Sequence, residues 1–279
     1  MPEPATSIAD FFRELSRRPI VAILGVCLAA AQVGCSSHTS PSQRRPQSAS
    51  APDSAHSAAV SDSASREARA SATSPIPLDQ GTRWDYTGTI QWTDSTKNMH
   101  FYELKWTMAV DAATTGPRAR AAVVHGFLSD VIFSESGRKP GYSVFLSVGD
   151  SLIMVPAASA EVATQLARQL ADRPETLPAS AVLLLDMPLV AGKKWGQASE
   201  GRNDDMYCWI VESEEMHVLA VEGVDRAHPL RVISVAYRTL PDGTEMDIVP
   251  GVGITAYSYM HYGTVMSVQL RLVAFRPRR

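Results

Sequence analysis

From Trp84 onward the chain alternates between apolar and polar positions with a period of two. Trp84, Tyr86, Gly88, Ile90 and Trp92 fall on one phase, and Asp85, Thr87, Thr89 and Gln91 on the other. Tyr102, Leu104, Trp106, Met108 and Val110 repeat the pattern against Glu103, Lys105 and Thr107, and Met266, Val268, Leu270, Leu272 and Ala274 close the chain in the same way. Period-two patterns of this kind predict half-buried antiparallel strands. Further strands are predicted at 120–129, 142–148, 151–155, 206–212, 216–221, 230–240, 244–249 and 253–262. Gly149-Asp150, Glu222-Gly223, Asp242-Gly243 and Pro250-Gly251 supply turn chemistry between them.

One segment breaks the alternation. Between Ala157 and Arg173, Val162, Leu166 and Leu170 recur at helical spacing, flanked by Ala163 and Ala167. Ser159 is placed to cap the start, Glu161 suits the positive end of the helix, and Pro174 follows its end. The expected fold is therefore mainly β: a strongly curved antiparallel meander, half-barrel or open barrel, with one amphipathic helix packed on it. A sheet of about ten strands must curl, and the helix is expected to plug the concave side.

An octapeptide motif recurs within this body. Pro77-Leu78-Asp79-Gln80-Gly81-Thr82-Arg83-Trp84 and Pro188-Leu189-Val190-Ala191-Gly192-Lys193-Lys194-Trp195 share Pro-Leu-x-x-Gly-x-[Lys/Arg]-Trp. The domain, 79–279, is accordingly read as two related halves, 79–187 and 188–279.

The first 78 residues are of another kind. Ser16-Arg17-Arg18, the apolar run Ile20–Ala31 and Gln32-Val33-Gly34-Cys35-Ser36 give the basic, apolar and small-residue order of an export signal, and 1–35 is read as one. The run is shorter than the ~20 residues a membrane span needs, and Arg17-Arg18 fits the twin-arginine route as well as the general one. Cys35 is the candidate lipidation site, with cleavage after 29–31 as the alternative. Residues 36–78 are rich in Ser, Ala and Pro and lack aromatic residues, so they are expected to form a disordered linker. A flexible segment of that length reaches roughly 35 Å.

Val33-Gly34-Cys35-Ser36 resembles a bacterial lipobox, with Gln32 where that pattern prefers Leu. Pro-Leu-x-x-Gly-x-x-Trp near the domain start, and Val249-Pro250-Gly251-Val252-Gly253 running to Tyr257, Tyr259, His261, Gly263 and Thr264, resemble uncharacterised exported bacterial lipoproteins. Their architecture is similar to half-barrels of the LolA, LolB and LppX type. The resemblance implies a curved sheet with helix over its open side, held in the cell envelope by an N-terminal lipid.

Charge and chemistry narrow the function. The chain carries a net charge of −3, and its body is mildly acidic, which argues against nucleic acid. Once a leader is removed and Cys35 is acylated, Cys208 remains alone, within the strand-like Met206–Val211, and reads as a buried structural thiol. No nucleophile, acid–base set, phosphate loop or metal-ligand spacing stands out, so neither an enzyme nor a cofactor or metal site is expected. The candidate ligand-lining set is aromatic: Trp84, Tyr86, Trp92, Tyr102 and Trp106, with Tyr257, Tyr259 and His261 as polar edges. Two functions follow: a membrane-tethered binding module for an apolar small molecule or lipid, or an envelope structural or protein-interaction module with a solid core.

Overall fold

The computed structural model describes residues 74–278, apart from 95, 134–139, 197–204 and 263–265. The leader, Cys35 and most of the linker lie outside the described residues. The strands are β1 (Arg83–Thr93), β2 (Met99–Thr115), β3 (Arg120–His125), β4 (Tyr142–Val148), β5 (Ser151–Ala157), β6 (Val182–Asp186), β7 (Lys194–Trp195), β8 (Trp209–His217), β9 (Leu230–Arg238), β10 (Asp242–Val249), β11 (Gly253–His261) and β12 (Met266–Arg276). They form one antiparallel sheet in the order β6-β5-β4-β3-β2-β1-β12-β11-β10-β9-β8-β7. Each run of six is a meander, and the first and last strands join the two runs.

The sheet curls into a nearly closed barrel. One apolar cluster contains Phe145, Leu152 and Leu185 from one flank together with Val211, Ile233 and Ile248 from the other, so the two flanks share a single interior. Five strand pairings carry a register shift: at Asp85/Tyr86, Val110/Ala112, Leu152/Ile153, Val211/Ser213 and Asp247/Ile248. Each such bulge bends its strand and raises the local twist. Gly88 adds to this, because a Cβ there would lie 1.8 Å from the Gln269 carbonyl oxygen. The short β7 leaves the β6 and β7 edges to be linked by side chains: Lys193 Nζ lies 3.2 Å from Asp186 Oδ2 and donates to the Met187 carbonyl at 2.8 Å.

The helix α1 (Ala160–Asp172) starts where expected, with Ser159 Oγ accepting from the Val162 amide. Its position differs from the expectation. Ala163, Ala167, Leu170 and Ala171 pack with Ala121, Val123, Val144 and Leu146, a cluster on the sheet face opposite the main interior. The concave side is filled instead by sheet side chains and by the 3-10 turn Leu128–Phe133, whose Leu128 and Val131 are fully buried. Leu170 and three alanines give the helix its contact, with Leu166 packed against the same cluster, whereas Val162 is exposed. The small side chains beside Leu170 allow the helix to lie close against the sheet.

Other differences are local. The predicted strands at 206–212 and 216–221 are one strand, β8, while β6 and β7 have no clear alternation to announce them. The turn placed at Asp242-Gly243 forms earlier, where Thr239 and Asp242 exchange hydrogen bonds. Glu222-Gly223 is not a hairpin turn but a wedge against β12: Glu222 N–H donates to Val273 and its carbonyl accepts from Phe275. Gly223 has φ +82° there and a Cβ would meet the Phe275 carbonyl oxygen at 2.0 Å, so only glycine fits.

The two copies of the octapeptide motif share a set of bonds. Gly81 and Gly192 both adopt left-handed backbone, with φ of 88° and 83°. Their amides donate to the carbonyls of Val110 and Val211, each at 2.8 Å. Thr82 donates to Asp79 and Lys193 to Val190, both at 3.0 Å. Arg120 and Arg231, each at the start of a strand region two strands on, reach back to the carbonyls of Leu78 and Leu189, both at 3.1 Å. Trp84 and Trp195 are buried at the ends of the two copies.

Candidate functional site

Strand register explains how the aromatic candidates divide. The inward phase runs across the sheet in rows. The outermost row is His100, Trp92, Met266, His261 and Asp242; the next is Tyr102, Ile90, Val268, Tyr259, Thr244, Tyr237 and Trp209. Two rows further in, Tyr86 stands opposite Trp106 and Leu272, and Tyr257 stands opposite Leu270 and Met246 in the row between. Four of the predicted residues thus belong to the deep rows and four to the rim.

The deep four are core. Trp84 is 0% exposed, Tyr86 1%, Trp106 7% and Tyr257 3%. Trp84 Nε1 donates to the Val252 carbonyl at 2.6 Å, Tyr86 Oη to Ile254 at 2.9 Å and Trp106 Nε1 to Gly126 at 2.8 Å. The first two bonds have a specific cause. β11 pairs with β12 only from Ala256 onward, so the carbonyls of Val252 and Ile254 lie ahead of that ladder, and β1 side chains reach across to satisfy them. Burial raises the Tyr86 and Tyr257 hydroxyls well above the ordinary tyrosine value. Such groups are neutral fixtures of a packed interior.

The rim four fall into two pairs, Trp92 and Tyr102 joined by ring stacking and Tyr259 and His261 by a shared carboxylate. Trp92 stacks on His100 and on Tyr102, both at 5.1 Å between ring centres. The Asp94 carboxylate shapes the turn beneath them, accepting from the Thr96 and Asn98 amides and from Thr96 Oγ, and His100 Nε2 lies 2.9 Å from its other oxygen. The His100 contact, then those from Thr96 and Asn98, hold Asp94 well below the usual carboxylate range. On β11, Tyr259 Oη donates to Asp242 Oδ1 at 2.6 Å, and His261 Nδ1 sits 2.5 Å from the same atom. Burial first, and the Asp242 carboxylate second, push the Tyr259 hydroxyl above its ordinary value. Tyr259 and His261 converge on one carboxylate oxygen, which ties β10 to β11.

Around these clamps the rim is apolar and exposed. Met99, Phe101 and Tyr102 on the β1–β2 hairpin, Leu240 on the β9–β10 turn, and Met260 and Tyr262 at the end of β11 make up six of the twelve large apolar side chains exposed among the described residues. Half of those side chains therefore sit at one end of the sheet. A depression of about 260 Å³ lies among them, lined by Gln91, Met260, His261, Tyr262, Met266 and Ser267. A second, of about 370 Å³, lies on the outer face over Gly88, between Thr87, Thr89, Glu103, Gln269 and Arg271. Both open to solvent.

Phe101, Met99, Met260, Leu240 and Tyr262 lie outside the aromatic candidate set. Their signal was nevertheless present: Phe101 shares a phase with Glu103 and Lys105, and Met260 with Ser258, so each is an apolar side chain on a polar phase.

No family model matches the chain, and no curated protein matches it. Among solved structures the chain is similar to a candidate exported protein with a YmcC-like fold from Bacteroides fragilis, at 10% identity and a TM-score of 0.39 over 72% of this chain and 98% of that one. It is similar to a candidate lipoprotein from Parabacteroides distasonis at 10% identity and a TM-score of 0.35, again over 72% and 98%. It is also similar to a LolA superfamily protein from Nitrosomonas europaea, at 10% identity and a TM-score of 0.23 over 73% and 89%.

Proposed function

We propose that this protein is an exported, membrane-tethered, non-catalytic module whose barrel is a solid support and whose contacts are made at its surface. The observation that carries this reading is the division of the aromatic set. Trp84, Tyr86, Trp106 and Tyr257 are committed to packing and to backbone carbonyls, whereas the exposed apolar surface gathers at one rim. A carrier that encloses an apolar ligand needs the reverse, an apolar interior with room in it.

The leader composition supports export, and Cys35 is the proposed anchor. The shared bonds of the two octapeptide copies support a body of two related halves, 79–187 and 188–279. Site-specific photo-crosslinkers in intact cells test the surface reading. Adducts from position 101 or 262, with none from position 218 at the opposite end, support it; no adduct from any rim position counts against it.

A second reading keeps an apolar small molecule, but at the rim. The 260 Å³ depression beside Met260, Tyr262 and Met266 favours it. Saturable binding of a fluorescent fatty acid, abolished by Met260→Ser, supports that reading, and absence of uptake removes it.

A further inference from the structure

We propose that the partner of the rim is the interfacial layer of a lipid bilayer; this rests on the surface-contact reading above. The exposed side chains lie at the rim ends of six strands, β2-β1-β12-β11-β10-β9, that are consecutive in the sheet, or in the turns between them. Phe, Leu and Met beside Tyr and a partly buried Trp suit a soft planar surface that is apolar below and wet above. Trp and Tyr favour that depth because their rings are amphipathic.

The charge pattern agrees. Both rim carboxylates are turned inward, Asp94 to its own turn and His100, and Asp242 to Tyr259 and His261. Glu245, further down, is paired with Arg238 at 3.2 Å. Lys97 stands exposed in the β1–β2 turn with φ 66°, a cation presented outward beside the apolar rim. Phosphate headgroups at the hairpin end would meet that cation beside two clamped carboxylates, while Glu103 stands exposed on the same face as Phe101, two residues further from the end.

A tether of this length permits this placement. The described chain begins at Ser74, and Pro75 accepts from Gly251 in the β10–β11 turn, at the end of the strands opposite the rim. An anchor at Cys35 would therefore have to let the rim turn back toward the membrane. The eight residue steps from Trp84 to Trp92 span about 27 Å at 3.3–3.4 Å each. Residues 36–73 can extend to roughly 130 Å, several times that distance.

The test uses the full chain reconstituted in phosphatidylethanolamine and phosphatidylglycerol vesicles, with and without lipid brominated in the acyl chains. Phe101→Trp adds an indole at the rim, and Val218→Trp adds one at the opposite end; both sites are more than half exposed, so either indole is accommodated. Brominated lipid is expected to remove most of the emission added by Phe101→Trp and none of that added by Val218→Trp. Equal quenching at both ends, or quenching at 218 alone, overturns the proposal. Quenching at neither end, with protein adducts from position 101 in cells, overturns the bilayer as partner and leaves the surface-contact reading standing. Quenching at neither end with no adducts overturns both.

Discussion

Replacing Tyr86 with phenylalanine removes one oxygen and nothing else, which makes it a sharp test of whether the inner aromatics are core. The hydroxyl is buried and donates to Ile254 at 2.9 Å, and Ile254 precedes the β11–β12 ladder, which starts at Ala256. Without the hydroxyl a buried carbonyl loses its donor, at a cost of about 1–3 kcal/mol. For a body of this size that lowers the melting temperature by about 2–12 °C. Urea unfolding followed by circular dichroism should show a lower midpoint with an unchanged slope. A second readout comes from pH. Burial raises the Tyr86 pKa above 10.0, so the folded state holds that proton more tightly than the unfolded chain. The stabilisation is complete below pH ~10 and is lost as pH rises beyond it, at up to ~1.4 kcal/mol per pH unit for each such tyrosine. Tyr86→Phe should flatten that alkaline limb. A midpoint within ~0.5 kcal/mol of wild type, the range of surface substitutions, would refute the reasoning, as would an unchanged alkaline limb; both are what a solvent-accessible, ligand-lining tyrosine gives.

Other outcomes follow from the same geometry. Gly88→Ala should cost about 3 kcal/mol or more, since its Cβ would sit 1.8 Å from the Gln269 oxygen and the β1–β12 backbones cannot part cheaply; urea midpoints measure it. Asp94→Ala should speed amide exchange in residues 94–100 and leave the deep rows protected. In the unmodified protein, Asp94 is held below its ordinary 3.8, so its contribution is present above that pH and is lost as pH falls through the folded value; hydrogen exchange across that range reads it. Palmitate labelling should vanish in Cys35→Ser, and equal labelling would remove the proposed anchor.

β1, β2 and β12 were legible because their inner phase is apolar and their outer phase polar. Trp84, Tyr86, Ile90 and Trp92 sit on the inner phase that their spacing announced, and Ser159 caps the helix as its type and place suggest. The octapeptide motif marked two real turns, since a left-handed glycine after Pro-Leu has few other uses. What failed to show is equally physical. β7 has two residues, too few for any period, and β6 is a run of valine and leucine with no polar phase. The helix buries Leu170 and the alanines that flank its stripe, but against the outer face of the sheet; spacing along a helix tells which side is buried and not which surface receives it. The candidate site was legible only as a set: strand phase gathers eight aromatic and histidine residues, but only register separates Tyr86 in the core from Tyr102 at the rim. Depth along a strand is set by pairing partners far away in sequence, and no local pattern carries it.

The most direct measurement is native mass spectrometry of the full chain released gently from its own membrane. A solid interior predicts the mass of the polypeptide and its covalent lipid alone. A stoichiometric apolar molecule that stays with the folded chain, is lost on unfolding, and survives Met260→Ser at the rim would contradict it.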